Sequence, residues 1–319
     1  MRYYLDFEKK LEPLEQRLHE IERFYSVRDP RYAKEVSYLS KKISKLEKDI
    51  YGDLTSWQRS QISRHLNRPH TLDYILKLFS DFFEIHGDRK FKDDPAMVCG
   101  FANFDGIKLA VIGHQKGKDV REMAMRNLGM AHPEGYRKAM RVMELANRWG
   151  RPIITFIDTP GAFPGVGAEE RGQAEAIANN ICYMFSLSVP VITLVIGEGG
   201  SGGALAIGVG DRVLMLENAT YSVISPEGCA SILWRDGSKR PLAADALKST
   251  SYDLLKFKII DDIIKEPFGG AHRNWDETFV NVKNALQKYM KEVLEVPAEE
   301  LQQKRYEKFR KMGIFEETR

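Results

Sequence analysis

The sequence predicts an α/β domain built on a parallel sheet covered on both faces, with helical segments before and after it. Three observations carry this prediction. From Pro133 onward, short and almost purely apolar segments alternate with segments of helical character, the pattern of strand-helix units whose strands are buried on both sides. Charge is spread unevenly, with 22 charged side chains in residues 1–50 and only six in residues 152–210. Of the 25 glycines, 11 fall within 152–210, in two consecutive loops that each follow an apolar segment.

Taken in order, Leu11, Leu14, Leu18 and Ile21 keep a three-four spacing, and Val36, Leu39, Ile43, Leu46 and Ile50 keep it again after the break VRDPRY. Residues 1–66 therefore read as a helical hairpin or arm, either a prop for the domain behind it or a partner-binding element. Further helix is expected around Trp57 and from Thr71 to Phe83. The stretch AMVCGFANFDGIKLAVIGHQKG is two apolar runs about Asp105-Gly106, which signals a β-hairpin. Then come helix PEGYRKAMRVMELANRW, strand PIITFI, helix AEERGQAEAIANNICYMF, strand PVITLVI, short helix GGALAIG, strands RVLMLEN and TYSVI, and helix CASILW. From DETFVNVKNALQKYM on, a polar helix carries an apolar stripe. No repeat or Gly/Ser linker interrupts the chain, so 67–275 reads as one core and 276–319 as a C-terminal helical extension.

Composition narrows the function. With 319 residues and 43% apolar content the chain can fill a core without staples. Forty-eight basic against 45 acidic side chains leave a net charge of +3, not the balance of a dedicated nucleic-acid binder. Cys99, Cys182 and Cys229 stand 83 and 47 residues apart, which suits neither a zinc cluster nor a disulfide framework, and they are expected to be buried thiols. The opening MRYYLDFEKK lacks a signal-peptide core, and no apolar run approaches the roughly 18 residues of a membrane span. A cytoplasmic protein, without membrane or nucleic-acid partners, is expected.

The stretch GEGGSGGALAIGVG, 197–210, matches the dinucleotide pattern G-x-G-x-x-G through Gly197, Gly199 and Gly202, with Glu217 near the position of a ribose-binding acid. The helix between is too short for a strand-helix-strand crossover of a dozen residues or more. A second loop, DTPGAFPGVGAEERG, resembles the Asp-x-x-Gly segment of GTPases, but GHQKGKD does not supply the required phosphate loop. What remains is two strands ending in glycine loops at one sheet edge. There, amides at a helix start can hold the developing charge of an oxyanion while glycine admits the substrate oxygen. The competing reading is that these glycines only permit tight turns and close packing.

The segments RPHTLDYI, FEIHGDRKFKDDPAMV, VIGHQKG, RNLGM, HPEGYRKAMRVMELA, PIITFIDTPGAFPGVGAEERGQAEAIA, VIGEGGSGGALAIGVGDRVLMLENATYSVISPEGCASILW and EPFGGAHR together resemble the alpha-subunit family of bacterial acetyl-CoA carboxylase carboxyltransferases. The resemblance is densest from Arg68 to Arg273. It implies a crotonase-type core of stacked ββα units and transfer of a carboxyl group from carboxybiotin, on a biotin carboxyl carrier protein, to acetyl-CoA, giving malonyl-CoA for fatty acid synthesis. The implied partners are a carboxyltransferase beta subunit that holds most of the CoA, the carrier protein and an ATP-using biotin carboxylase. The implied assembly is two alpha and two beta chains. In the family mechanism carboxybiotin releases carbon dioxide, its ring nitrogen removes a methyl proton from acetyl-CoA, and the enolate attacks, so no side-chain base is needed.

Carried onto this sequence, the resemblance places oxyanion donors at the amides of Gly202, Gly203 and Ala204. It places a biotin-pocket wall at Gly161, Ala162, Phe163, Pro164 and Gly165, with Gly199 and Gly200 beside it, and no metal. The sequence departs from the family pattern at Cys99, where a small residue is expected, and at Phe163, where tyrosine is expected. Gly203→Val is expected to cut turnover by about two to three orders of magnitude with assembly intact. Lys116, Lys118, Arg121 and Arg126 read either as a solvated basic loop or as a contact for CoA phosphates or a partner. His114, His132 and His272 read as loop-satisfying side chains, and Glu198 and Glu169-Glu170-Arg171 as loop organisers. The alternative functions are a stand-alone crotonase-fold acyl-CoA hydratase or isomerase, for which Glu198 would be the base, and a catalytically silent scaffold.

Overall fold

The computed structural model describes residues 3–24 and 30–313. The amphipathic spacing of the N-terminal region produces α1 (Glu12–Phe24) and α2 (Pro30–Tyr51), which pack against each other over Leu11, Ile43, Tyr51 and Ile62 as a small core of their own. Val27 to Asp29 of the break between them lie outside the described residues. Then follow α3 (Ser56–Ser63), opened by a capping box of Thr55 and Gln58, and α4 (Thr71–Leu78).

The sheet begins with β1 (Ser80–Glu84), β2 (Met97–Phe104) and β3 (Ile107–His114), an antiparallel meander. Asp105 and Gly106 both take positive φ, 49° and 91°, as the hairpin signal requires. Residues 80–83, expected as the end of a helix, belong to this edge strand instead. Asp81 turns the chain with φ 55° and tertiary pairing with β2 overrides local preference.

After α5 (Val120–Met125) and α6 (Pro133–Arg148) come β4 (Ile153–Thr159), α7 (Val166–Glu170), α8 (Gln173–Ser186), β5 (Val191–Gly200), the short α9 (Ser201–Leu205) and β6 (Arg212–Leu216). One helix was expected over 168–185. Gly172, left-handed with φ 80°, divides it into α7 and α8. The chain continues through β7 (Thr220–Ser222), α10 (Pro226–Trp234), α11 (Arg240–Leu247), α12 (Ser251–Lys256) and β8 (Asp262–Ile264).

The sheet order is β1-β2-β3-β4-β5-β6-β8, parallel from β3 onward. β7 pairs with the far end of β5, Glu198 to Gly200, so the first glycines of the 197–210 stretch are strand rather than phosphate loop. That placement removes the dinucleotide reading, because Gly197 and Gly199 pack against Asp158 and Tyr221 and not against open space.

The C-terminal helices are α13 (Trp275–Leu294) and α14 (Ala298–Arg310). Val282, Leu286, Met290 and Val293 belong to the same buried core as the strands, so this segment is built into the domain. Arg305 is fully buried and fastens α14. It binds Asp211 through Nε at 2.9 Å and Nη2 at 2.8 Å, and donates to the carbonyls of Met184, Leu187 and Val189 at 2.6 to 3.0 Å. Cys99 and Cys229 are buried as expected; Cys182, on the outer side of α8, is exposed. No helix among the described residues is long and apolar enough to cross a membrane.

Candidate functional site

The two glycine loops meet at the carboxyl edge of the parallel strands, as their positions after β4 and β5 require. Ser201 makes the turn from β5 into α9 with φ 51°, a left-handed residue between glycines. Gly200 caps α9 without a side chain, and the amides of that first turn have no partners within the helix.

The glycines divide by what surrounds them. A Cβ on Gly203 would lie 2.6 Å from the backbone of Gly161 and Ala162, and one on Gly200 would overlap the Pro160 carbonyl. These two are small because the neighbouring loop occupies the space. On Gly202 the nearest atoms would be those of the Ile177 side chain at 3.6 Å, ordinary contact. Ser201 and Gly202 border a crevice of about 330 Å³ whose walls are apolar, among them Leu205, Val223, Leu254 and Phe309. Gly203 and Ala204 are buried behind it. The reading of Gly203→Val as a probe of an oxyanion pocket is therefore corrected: valine at 203 would strike the opposite loop's main chain before reaching any ligand.

The 161–165 loop is held firmly. Gly161 N–H donates to Thr159 Oγ1 at 3.1 Å, Phe163 N–H to the Ala131 carbonyl at 3.0 Å, and Gln173 Nε2 to the Phe163 carbonyl at 3.0 Å. The Phe163 ring stacks on His132 with centroids 4.1 Å apart and folds over Gly165, while Pro164 is exposed.

Beneath both loops lies a set of charges the sequence did not connect. Lys116 Nζ is 2.9 Å from Asp158 Oδ1 and 2.6 Å from Glu198 Oε2. Asp158 also receives Glu198 N–H at 3.1 Å and faces His70 Nδ1 at 3.1 Å, and Glu198 Oε1 makes an ion pair with Arg64 Nε at 2.8 Å. Burial alone would raise the Asp158 carboxyl, but Lys116 and His70 hold it below the usual carboxylate range. Burial likewise works against the Lys116 ammonium, which the two carboxylates keep charged. Lys118 pairs with Asp73, and Arg126 with Glu122 and the Pro95 carbonyl. Of the four cations read as a basic loop, three are thus engaged within the chain, and Arg121 is exposed. No single segment signals this network, because residues 64, 116, 158 and 198 converge only through the sheet. Arg171 grips Glu134 through two hydrogen bonds at 3.0 and 3.2 Å, whereas Glu169 and Glu170 are exposed.

The histidines have separate surroundings. His114 is fully buried, and burial lowers its pKa to about 4 even though Asp158 and the backbone of Gly203 and Phe156 favour the charged ring. His272 stacks on His65, centroids 3.9 Å apart, and both lie beside Glu8, the cluster of metal-ligand type found among the described residues. Rings stacked at 22° point their lone pairs nearly alongside each other rather than at one ion. Glu8 is instead satisfied by Leu5 N–H and Tyr51 Oη, each at 2.8 Å, and by His272 Nε2 at 3.3 Å. The cluster ties the N-terminal residues to the core.

His65 Nδ1 accepts Asn67 N–H at 3.1 Å and its other nitrogen faces the Tyr3 carbonyl at 3.1 Å, an arrangement that fits only the neutral ring. Burial, then neighbouring His272, lowers its pKa from 6.5 to about 3. A depressed histidine pKa means that the unfolded chain takes up the proton first. Its stabilising contribution is therefore complete above pH 6.5 and declines as pH falls toward 3. Urea unfolding between pH 7 and 4 should show stability falling by up to about 1.4 kcal/mol per pH unit for this one proton. A His65→Gln chain should show a flatter slope, and an unchanged slope would refute the assignment.

Residues 4–313 match the family model described as acetyl co-enzyme A carboxylase carboxyltransferase-like. The chain is 55% identical over 318 residues to the acetyl-coenzyme A carboxylase carboxyl transferase subunit alpha of Syntrophotalea carbinolica, covering 99% of this chain and 100% of that one. It is 53% identical over 313 residues to the protein of the same name from Thermus thermophilus, covering 98% and 99%. Among solved structures it is similar in fold to transcarboxylase 12S, with a TM-score of 0.56 at 22% identity, over 70% of this chain and 42% of that one. It is similar also to the Pseudomonas malonate decarboxylase MdcD-MdcE hetero-dimer, with a TM-score of 0.55 at 16% identity, over 64% and 84%. The crotonase-type α/β core expected from the sequence is the fold of this chain. Matched from end to end by relatives of one name, the chain belongs to the acetyl co-enzyme A carboxylase carboxyltransferase-like family.

Proposed function

We propose that this chain is the alpha half of a carboxyltransferase that moves a carboxyl group from carboxybiotin on a carrier protein to acetyl-CoA, and that it is inactive without a beta subunit. The family relationship over residues 4–313 carries this reading. The proposed complement includes the carrier protein and an ATP-using biotin carboxylase, in an assembly of two alpha and two beta chains working in the cytoplasm. Within this chain the start of α9 is proposed to receive the developing oxyanion. Gly202, at the crevice, and the buried Gly203 and Ala204 behind it are the candidate amides, and the 161–165 loop with Gly199 and Gly200 is the wall that holds α9 in place. Main-chain dipoles fixed in this way stabilise negative charge without reorganising during reaction.

The hydratase or isomerase alternative needs a free carboxylate on these loops. Glu198 is the candidate, and its two oxygens are engaged by Arg64 and Lys116. With both oxygens held in ion pairs, Glu198 has no free oxygen to reach a substrate proton. In the test, purified chain is mixed with carboxylated carrier protein and acetyl-CoA, with and without a beta subunit. Malonyl-CoA is expected only when the beta subunit is present. Full transfer by the chain alone, or its consumption of an enoyl-CoA, would overturn the reading.

A further inference from the structure

We infer that Lys116 is a positioning residue of this site: its ammonium, shared by Asp158 and Glu198, sets the spacing between the loop that follows β4 and the glycine turn that follows β5. The inference rests on the carboxyltransferase reading above and adds to it a residue outside both loops. Lys116 stands just beyond β3, Asp158 lies at the end of β4, and Glu198 lies near the end of β5, so one cation joins the ends of three neighbouring parallel strands. Asp158 opens the segment that runs into Gly161–Gly165, and Glu198 precedes Gly199–Ala204 by one residue. A shift of either carboxylate therefore moves one glycine loop against the other, at the contact where Gly203 already meets Gly161.

Other groups face the pair, but among the described residues Lys116 is the side chain that bridges the two. His70, from the start of α4, takes the second oxygen of Asp158. Arg64, at the end of α3, takes the second oxygen of Glu198 and is itself bound to Glu227 of α10 at 2.7 and 3.2 Å. Arg68 is committed to Glu266, and His114 faces the backbone of Gly203 and Phe156. Gly129, left-handed with φ 80°, lies over the Lys116 stem, and the lysine lines a cavity of about 230 Å³ together with Arg64, His70, Asp158 and Glu198. Without the ammonium, two largely buried carboxylates, 3% and 15% exposed, remain close together, and their repulsion is felt more strongly there than in bulk water.

The experiment uses the chain reconstituted with its beta subunit. Lys116→Met is expected to lower kcat about ten- to a hundredfold with KM for acetyl-CoA unchanged, because a displacement near 1 Å of reacting groups costs that much. Lys116→Met with Glu198→Gln removes one of the two opposed charges and is expected to recover most of the lost kcat. A purely packing role for the lysine stem would leave the double variant as slow as the single. Wild-type kcat in the single variant, or equal loss in both, overturns the inference. Failure of both variants to fold, judged by circular dichroism and co-elution with the beta subunit, overturns it as well by assigning Lys116 to stability alone. Absence of transfer by the unmodified pair is a different result, because it removes the functional reading itself.

Discussion

Arg68→Met is expected to lower the stability of the chain by about 3 to 5 kcal/mol, the cost of stranding a buried partner charge. Arg68 is 2% exposed and meets Glu266 in a two-pronged pair at 2.7 and 2.9 Å, and it donates to the Ile196 carbonyl at 2.8 Å. Burial alone would raise the Glu266 carboxyl, yet Arg68 holds it below its ordinary range. Glu266 in turn receives Asn218 N–H at 3.0 Å and Ala271 N–H at 2.7 Å. The pair therefore joins the entry to α4, the middle of β5 and the turn after β8. In Arg68→Met the carboxylate keeps those donors and loses its counter-charge. Arg68→Lys keeps the charge but not the fork, and should fall between the two. Urea unfolding of the purified chains measures all three. A loss below about 1 kcal/mol for Arg68→Met would place this pair among those of little net worth.

Gly203→Val and Gly202→Ala should separate packing from ligand access, although the residues are adjacent. Valine at 203 brings branched carbons against the Gly161 and Ala162 main chain, where a Cβ would already be 2.6 Å away. Backbone cannot yield as a side-chain tip can, so the loss should reach about 3 kcal/mol, the upper end for overpacking. Alanine at 202 meets only the Ile177 side chain at 3.6 Å, so the thermal midpoint should change little. Gly202 borders the crevice, and on the proposed function an added methyl there should lower turnover with the beta subunit at least about tenfold. Full activity in Gly202→Ala would move the reacting oxygen away from this crevice. A normal thermal midpoint in Gly203→Val would show that the loop contact is slack.

Much of the fold was legible because periodicity reports burial. The apolar segments PIITFI and PVITLVI could only be strands covered on both faces, and they are β4 and β5. Asp105-Gly106 specified its hairpin through the positive φ that both residues accept. The motif segments around Arg68 and Glu266 were both singled out by resemblance, but their pairing across 198 positions was not readable. Residues 80–83 misled because a short aromatic and charged stretch has no decisive local preference, and the edge of β2 decided for it. Lys116 misled in the same way: between glycines in a charged loop a lysine reads as solvated, and its surroundings come from segments 42 and 82 residues away.

The sequence by itself determined the class of fold, the alternation of strands and helices from α6 to β6, the family, and the two loops where a ligand edge had to lie. These follow from local pattern and residue type, which act over a few positions. Only the tertiary structure decided which glycines face space and which face backbone, that Glu198 is ion-paired rather than free, and that one lysine spans two carboxylates. Those properties depend on distances between residues far apart in the chain, and such distances exist only once the sheet has brought its strand ends together.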